Sequence, residues 1–102
     1  MYARISLFRT KAEHNNAETR ASLQASLPER LKTVPGLKQC FLLGMEEDGR
    51  TGVIAVFESE EALLAATEEI ETLWFQVAHL IEGEIVQHGL PVFLHTDCAT
   101  GD

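Results

Sequence analysis

Basic side chains and cysteine are both scarce in this sequence. Its 102 residues include 8 lysines and arginines against 16 aspartates and glutamates, which gives a formal net charge of −8 at pH 7. A field of that sign repels phosphate backbones and anionic membrane surfaces, so we expect neither nucleic acid nor a membrane as a partner. The two cysteines, Cys40 and Cys98, are too few for a disulfide framework, which excludes the small disulfide-rich class.

Long apolar runs are missing as well. No run approaches the roughly 18 residues that cross a bilayer, and Arg4 and Arg9 interrupt the first apolar segment, which a signal peptide would leave unbroken. We therefore expect a soluble, cytoplasmic protein. An apolar fraction of 45% at this length suits one compact domain, which we place at residues 1–95, with a polar C-terminal tail at residues 96–102.

The clearest prediction of secondary structure comes from residues 51–61. Residues 51–57 are rich in β-branched side chains and apolar on both alternations, the pattern of a strand that is covered on both faces. Ser59 is a good N-cap for a following helix, and Glu60 and Glu61 place negative charge at the positive end of its dipole. The pattern predicts a buried strand that turns directly into a helix.

Three further strands are predicted. Residues 2–8 alternate with a period of two. Residues 37–45 form a second apolar strand, and a polar turn at residues 46–49 pairs it antiparallel with the third. Residues 84–94 predict a last strand that Pro91 disturbs, because proline cannot donate to a ladder.

Two helices fill the intervals between these strands. Leucines four residues apart predict an amphipathic helix over about residues 16–34, with a kink or a new start near Pro28. The helix after Ser59 is expected to run to about residue 81, to bend near Glu71 and to close at Gly83. For the core we expect one set of strand residues (Ile5, Leu7, Ile54, Val56) to face one set of helix residues (Leu23, Leu27, Leu63, Ile70, Val77).

The order strand, helix, strand, strand, helix, strand predicts an α+β, ferredoxin-like fold, a βαββαβ antiparallel sheet with two helices on one face. Three stretches also resemble the antibiotic-biosynthesis-monooxygenase-like family of dimeric α+β barrels: Val34-Pro35-Gly36-Leu37, residues 52–63 (GVIAVFESEEAL), and Trp74-Phe75-Gln76 with His79. The resemblance covers residues 2–94. It implies a dimeric α+β barrel and therefore a homodimer, which would also cover the second apolar face of the third strand.

The resemblance implies a cofactor-independent monooxygenase that acts on a small aromatic substrate in a cavity between the sheet and the partner subunit, with no cofactor and no metal. A haem-degrading branch of the family pairs an asparagine on the first strand with a tryptophan and a histidine on the second helix. Here Ser6 and Leu7 stand in the middle of the first strand, and Trp74 lies close to His79 instead of some turns earlier. We therefore do not expect haem degradation.

Candidate site residues are polar or aromatic groups on strands and on the second helix. We expect Arg4, Ser6 and Gln39 to line the cavity, Phe41 and Trp74 to hold an aromatic ring, and His79 to act as the catalytic proton acceptor. Two alternatives stay open. The polar residues are equally compatible with hydrogen bonds at a subunit interface, and a histidine near a helix end also complements the dipole.

A second function is compatible with the same pattern. No carboxylate pair, strong base or recognised metal-ligand spacing stands out, since His88, His95 and Cys98 match no zinc pattern. The alternative is therefore a non-catalytic dimer on the same scaffold, with a small-ligand-binding or structural role. Fold alone does not decide between the two.

Overall fold

The computed structural model describes residues 1–44 and 47–98 of the chain. Short 3₁₀ turns occur at Ala12–His14 and Ala78–Leu80. No helix among the described residues is long and apolar enough to span a bilayer. The strands and helices, in chain order, are β1 (Tyr2–Thr10), α1 (Ala17–Leu31), β2 (Leu37–Gly44), β3 (Arg50–Phe57), α2 (Glu60–Ala65), α3 (Thr67–Val77) and β4 (Ile81–Pro91).

The four strands form one antiparallel sheet in the order β2-β3-β1-β4. This order confirms the predicted ferredoxin-like α+β fold and the antiparallel pairing of the second and third strands. The turn predicted at residues 46–49 begins outside the described residues, and its described part has Gly49 at φ 85°. The division into a domain at 1–95 and a tail at 96–102 stays a prediction, and residues 99–102 also lie outside the described part of the chain.

The first helix begins and ends by recognisable devices. The side-chain oxygen of Asn16 accepts a hydrogen bond from the backbone N–H of Thr19 at 2.8 Å, which caps the N-terminus. Pro28 lies inside α1, and the helix is a single segment through it, so the predicted new start there is wrong. Proline has no backbone N–H, so the carbonyl of Gln24, four residues earlier, loses its helical donor while the helix continues to Leu31.

The second helical region is broken at a different place from the one predicted. The predicted cap is present, because Ser59 Oγ accepts from the N–H of Ala62 at 3.0 Å. The break lies at Ala66 (φ −95°, ψ 13°), and Thr72 stays inside α3, where its hydroxyl donates to the carbonyl of Glu68 at 2.9 Å. The predicted closure at Gly83 is wrong as well, since Gly83 belongs to β4.

The fully buried core is small and lies at one end of the helix layer. Val34, Phe57, Leu63 and Ala66 are buried together. Partly buried residues pack around them: Tyr2, Leu37, Ala55, Ala62, Ile70 and Leu73. The predicted burial of Leu63 is therefore confirmed.

The predicted strand contribution to this core is wrong. Ser6 on β1 is 1% exposed, whereas its neighbour Leu7 is 52% exposed. Neighbouring strand residues point to opposite faces, and the register Ser6↔Val53 and Ile5↔Ile54 extends this division to β3. The helices thus cover the face that carries Ser6 and Val53. The residues predicted to face them (Ile5, Leu7, Ile54, Val56) share the opposite side, here called the open face.

Gly36 and Gly83 have nearly the same positive φ but different surroundings. Comparing them tests how tightly the loop before β2 packs against α2. Gly36 (φ 77°) and Gly83 (φ 76°) are both left-handed, but a Cβ on Gly36 would lie 2.8 Å from Cβ of Ala62, whereas one on Gly83 meets nothing within 4 Å. Gly83→Ala should lower the free energy of unfolding by about 1–2 kcal/mol from backbone strain alone. Gly36→Ala should lose a further 1–3 kcal/mol or so from overpacking against α2.

Urea denaturation of both variants beside the wild type measures this difference. Equal losses at the two positions would mean that the 36–62 contact is loose and that α2 can move away at little cost.

Candidate functional site

A cavity of about 420 Å³ lies between the helices and the helix-facing side of the sheet. Its size falls within the range of roughly 300–1,000 Å³ that holds small-molecule ligands. Most of its wall is apolar: Phe8, Leu23, Leu27, Val53, Leu73 and Trp74 all contribute. The cavity is therefore suited to an apolar or aromatic body with a few polar groups.

Two polar side chains of β1 project into this apolar space. Ser6 is buried, and its Oγ accepts a hydrogen bond from Nε2 of Gln87 on β4 at 3.1 Å. Its own hydroxyl hydrogen has no acceptor among the described residues and is free for a ligand. Arg4 is half-buried and lines the same cavity, and its guanidinium makes no hydrogen bond or ion pair within residues 1–44 and 47–98. An unpaired arginine in an apolar cavity is a ready partner for an anionic or carbonyl oxygen.

The hydroxyl groups of Thr10 and Thr51, near the C-terminal end of β1, already have hydrogen-bond acceptors within the protein. The hydroxyls of Thr10 and Thr51 lie 2.8 Å apart, and Thr51 donates to the carbonyl of Gly49 at 3.0 Å. Because the Thr51 hydrogen is used for Gly49, Thr10 is the donor to Thr51. Both hydroxyl hydrogens are thus committed within the protein, which leaves Arg4 and Ser6 as the polar side chains of β1 that are available to a ligand.

One wall of the cavity is built from two aromatic rings. The rings of Phe8 and Trp74 meet edge to face, with centroids 5.6 Å apart and planes at 85°. This geometry is favourable for an aromatic pair and fixes the indole of α3 against β1. Trp74 is also the single tryptophan of the chain, so its fluorescence reports on this cavity.

No protein-family model and no curated protein matches the chain. Solved structures do match it. A putative antibiotic biosynthesis monooxygenase from Nitrosomonas europaea is 15% identical, with a TM-score of 0.71 over 92% of this chain and 100% of its own. The chain has the fold of the antibiotic biosynthesis monooxygenases.

Two further structures share this monooxygenase fold. A monooxygenase from the gene ActVA-Orf6 of Streptomyces coelicolor, in complex with nanaomycin D, is 14% identical, with a TM-score of 0.70 over 96% of this chain and 92% of its own. A variant of MhuD with two manganese protoporphyrin IX molecules per active site is 17% identical, with a TM-score of 0.70 over 95% of this chain and 99% of its own. At these identities the likeness is one of fold.

Three of the six predicted site residues meet in the cavity of this monooxygenase fold. Arg4, Ser6 and Trp74 line it. The cavity itself lies between the sheet and the helices of a single chain, not between the sheet and a partner as predicted. The reason is the alternation of side chains along β1, which directs its polar residues toward α1 and α3 and its apolar residues toward the open face.

Gln39 and Phe41 are on the open face, so the prediction that they share a cavity with Arg4 is wrong. In the register, Gln39 pairs with Val56 and Phe41 with Ile54, both open-face residues. A β-bulge between Leu37 and Gln39 inserts one residue and reverses the alternation. Without that bulge Gln39 would share the face of Leu37, which does line the cavity.

His79 also lies away from the cavity. It is exposed on the 3₁₀ turn after α3, and its ring meets that of His14 edge to face, with centroids 5.6 Å apart. The helix that was expected to carry it inward ends at Val77. The structure therefore gives His79 no contact with a ligand held beside Arg4.

Sequence reasoning missed cavity residues on α1 and β2. Arg20, Gln24, Leu27 and Leu31 all line the cavity and recur every three or four residues, so extending the leucine stripe of α1 would have found them. Cys40 lines the cavity from β2. It pairs with Ala55 on β3, and Ala55 in turn pairs with Arg4 on β1, so all three lie on the same face of the sheet. Burial raises the pKa of the Cys40 thiol by disfavouring the thiolate.

The two cysteines should therefore differ in alkylation. Only the thiolate reacts, and the raised pKa keeps Cys40 a neutral thiol at pH 8, so iodoacetamide should modify it at least about tenfold more slowly than the exposed Cys98. The rate at Cys40 should still be climbing as the pH rises above 9. Mass spectrometry of digests measures both rates, with the urea-unfolded chain and Cys98→Ser as controls. Equal rates in the folded chain would show that Cys40 is open to water.

Proposed function

We propose that this chain is a member of the antibiotic biosynthesis monooxygenase family and oxidises a small hydroxylated aromatic, without a bound cofactor, in the cavity between its sheet and helices. The observation that carries this is the guanidinium of Arg4, which has no partner among the described residues, beside the Ser6 hydroxyl, whose hydrogen has no acceptor among them, in a mostly apolar cavity. The shared fold supports it, since one such structure is a monooxygenase holding nanaomycin D. A cytoplasmic location stays a prediction from composition.

The chemistry of the wall limits which substrates can react. The described lining residues include no histidine, lysine, aspartate, glutamate or tyrosine, and burial keeps the Cys40 thiol protonated. These residues can stabilise an anion but offer no strong base. The substrate must then ionise by itself, as a phenol or enol does, with Arg4 and Ser6 stabilising the oxyanion.

Oxygen is the only other reactant that this chemistry needs. The ionised ring passes electrons to O₂. In the keto form of the substrate the reacting ring carbon carries two hydrogens, one of which is the former hydroxyl hydrogen in a naphthol, and one oxygen atom replaces both as a carbonyl. The second oxygen atom leaves with those two hydrogens as water. The four electrons lost by the carbon equal the four that reduce O₂, so no external reductant is required.

Haem degradation is not part of the proposal. The described lining residues contain no histidine to serve as an axial ligand, and His79 is exposed elsewhere. The middle of β1 offers Ser6 and Leu7 where the resemblance to the haem-degrading branch would require an asparagine. The more serious alternative is a non-catalytic binding protein, which the lack of a strong base among the described lining residues favours.

Oxygen uptake separates these functions. We expect the purified chain to consume O₂ with at least one member of a panel of hydroxylated naphthalenes and anthrones, and to insert one atom of isotopically labelled oxygen into the product. Arg4→Gln should slow the reaction about tenfold or more, because it removes the donor at the developing oxyanion. Lys32→Gln is the matched control, since Lys32 is an exposed cation outside the cavity.

Binding without oxygen uptake across the panel would reject catalysis in favour of the binding protein. Conversion of added haem to an open tetrapyrrole in the presence of a reductant would overturn the exclusion of haem degradation.

We also infer that two chains associate through the open face of the sheet. Five large apolar side chains on this face are between 47% and 57% exposed: Leu7, Phe41, Leu43, Val86 and Leu90. They are contiguous, because Leu7 pairs with Val86 on one side and with Gly52, the partner of Leu43, on the other. A contiguous apolar patch of this kind is typical of a surface that binds another protein chain. A second copy supplies a matching apolar surface.

Sedimentation velocity at micromolar concentration tests the dimer. The wild type should sediment as a dimer and Leu7→Glu as a monomer, because the carboxylate would be desolvated at the centre of the interface. Leu64→Glu is the control. Leu64 is 63% exposed on α2, in the helix layer, so this variant should remain dimeric. A monomeric wild type, or equal dissociation of both variants, would contradict the assignment of the interface.

A further inference from the structure

The cavity has a charge opposite to that of the chain. Although the sequence carries 16 acidic residues, none of the described residues that line the cavity is acidic, and two of them are arginines, Arg4 and Arg20. An acidic protein that keeps its carboxylates away from one apolar space, and places only guanidinium groups there, has a cavity suited to anions.

The two arginines occupy different environments. Arg4 is half-buried on the central strand, and its neighbours across the sheet are Ala55 and Gly89, which have no polar side chain to pair with it. Arg20 is exposed at the end of the first turn of α1, at the rim, and makes no side-chain hydrogen bond or ion pair with the described residues. One guanidinium is thus inside the cavity and the other at its solvent side.

We propose that the ligand is a hydroxyaryl carboxylate, whose ionisable hydroxyl lies against Arg4 and whose carboxylate is held by Arg20 at the rim. This rests on the proposed function for the role of Arg4, and adds a second anionic group and an orientation. The aromatic body fills the apolar space between the two arginines, beside Trp74. A planar, bidentate guanidinium is well matched to a carboxylate.

In this arrangement, only Arg20 at the rim distinguishes a carboxylate ligand from a neutral ligand of the same shape. A neutral ligand of the same shape gains the apolar contacts and the bond to Arg4 but nothing from Arg20. Since the net charge of −8 opposes the approach of any anion, tighter binding of the anion must come from a local contact. Arg20 is the exposed cation in position to provide it.

A four-way comparison tests this by isothermal titration. A hydroxynaphthoate and the hydroxynaphthamide of the same substitution pattern are titrated into the wild type, Arg20→Gln, Arg4→Gln and the control Lys32→Gln. In the wild type the naphthoate should bind about tenfold more tightly than the amide, as one charge-assisted contact provides. Arg20→Gln should abolish that preference by weakening the naphthoate only. Arg4→Gln should weaken both ligands equally, and Lys32→Gln should leave both within about twofold.

The location of binding is checked by quenching of Trp74, which both ligands should cause. Equal affinity of the two ligands for the wild type, equal weakening of both by Arg20→Gln, or no binding of either would overturn the proposal. Oxygen uptake is scored separately. A preference for the carboxylate without oxygen uptake would keep this proposal and reject the monooxygenase, whereas uptake with no such preference would do the reverse.

Discussion

The two-residue period of β1 decides where the other parts of the molecule lie. This strand is central in the sheet, and its alternation directs Arg4 and Ser6 toward the helices and Ile5 and Leu7 away from them. Polar groups lose hydration when helices close over them. A cavity beneath α1 and α3 leaves room for their partners, while the apolar side chains gather on the open face. The cavity and the apolar open face are thus two results of one pattern.

The helix cap at Ser59 and the order of the elements were predicted correctly, but the side of the sheet that faces the helices was not. Ser59 caps α2 as predicted, and the order of elements predicts the fold, because both depend on neighbours in the chain. The apolar residues of β3 on both alternations are compatible with either face toward the helices. The polar residues of β1 were expected to line a cavity on the partner side of the sheet, whereas the cavity that they line lies under the helices. The expectation that the more apolar face of a strand packs against the helices fails at such a site.

Two other errors arose from features with no sequence signature of their own. The bulge between Leu37 and Gln39 moves Gln39 and Phe41 to the open face, and nothing in the apolar run of β2 marks the inserted residue. The break at Ala66 lacks glycine and proline, and it comes from tertiary packing, since Ala66 is completely buried beside Phe57 and Leu63. Strand register and helix packing are set by contacts between residues that are distant in sequence. The amino-acid sequence alone does not show these contacts.

The small core has a consequence for how long the protein survives. Among residues 1–44 and 47–98, only Val34, Phe57, Leu63 and Ala66 form its buried centre, and the cavity occupies much of the space where further core side chains would lie. A bound molecule therefore becomes part of the interior, and at a hundred times its dissociation constant it stabilises the fold by about 2.7 kcal/mol. In a cell, empty chains unfold more often and meet proteases first. The amount of this protein should then follow the supply of the molecule that fills it.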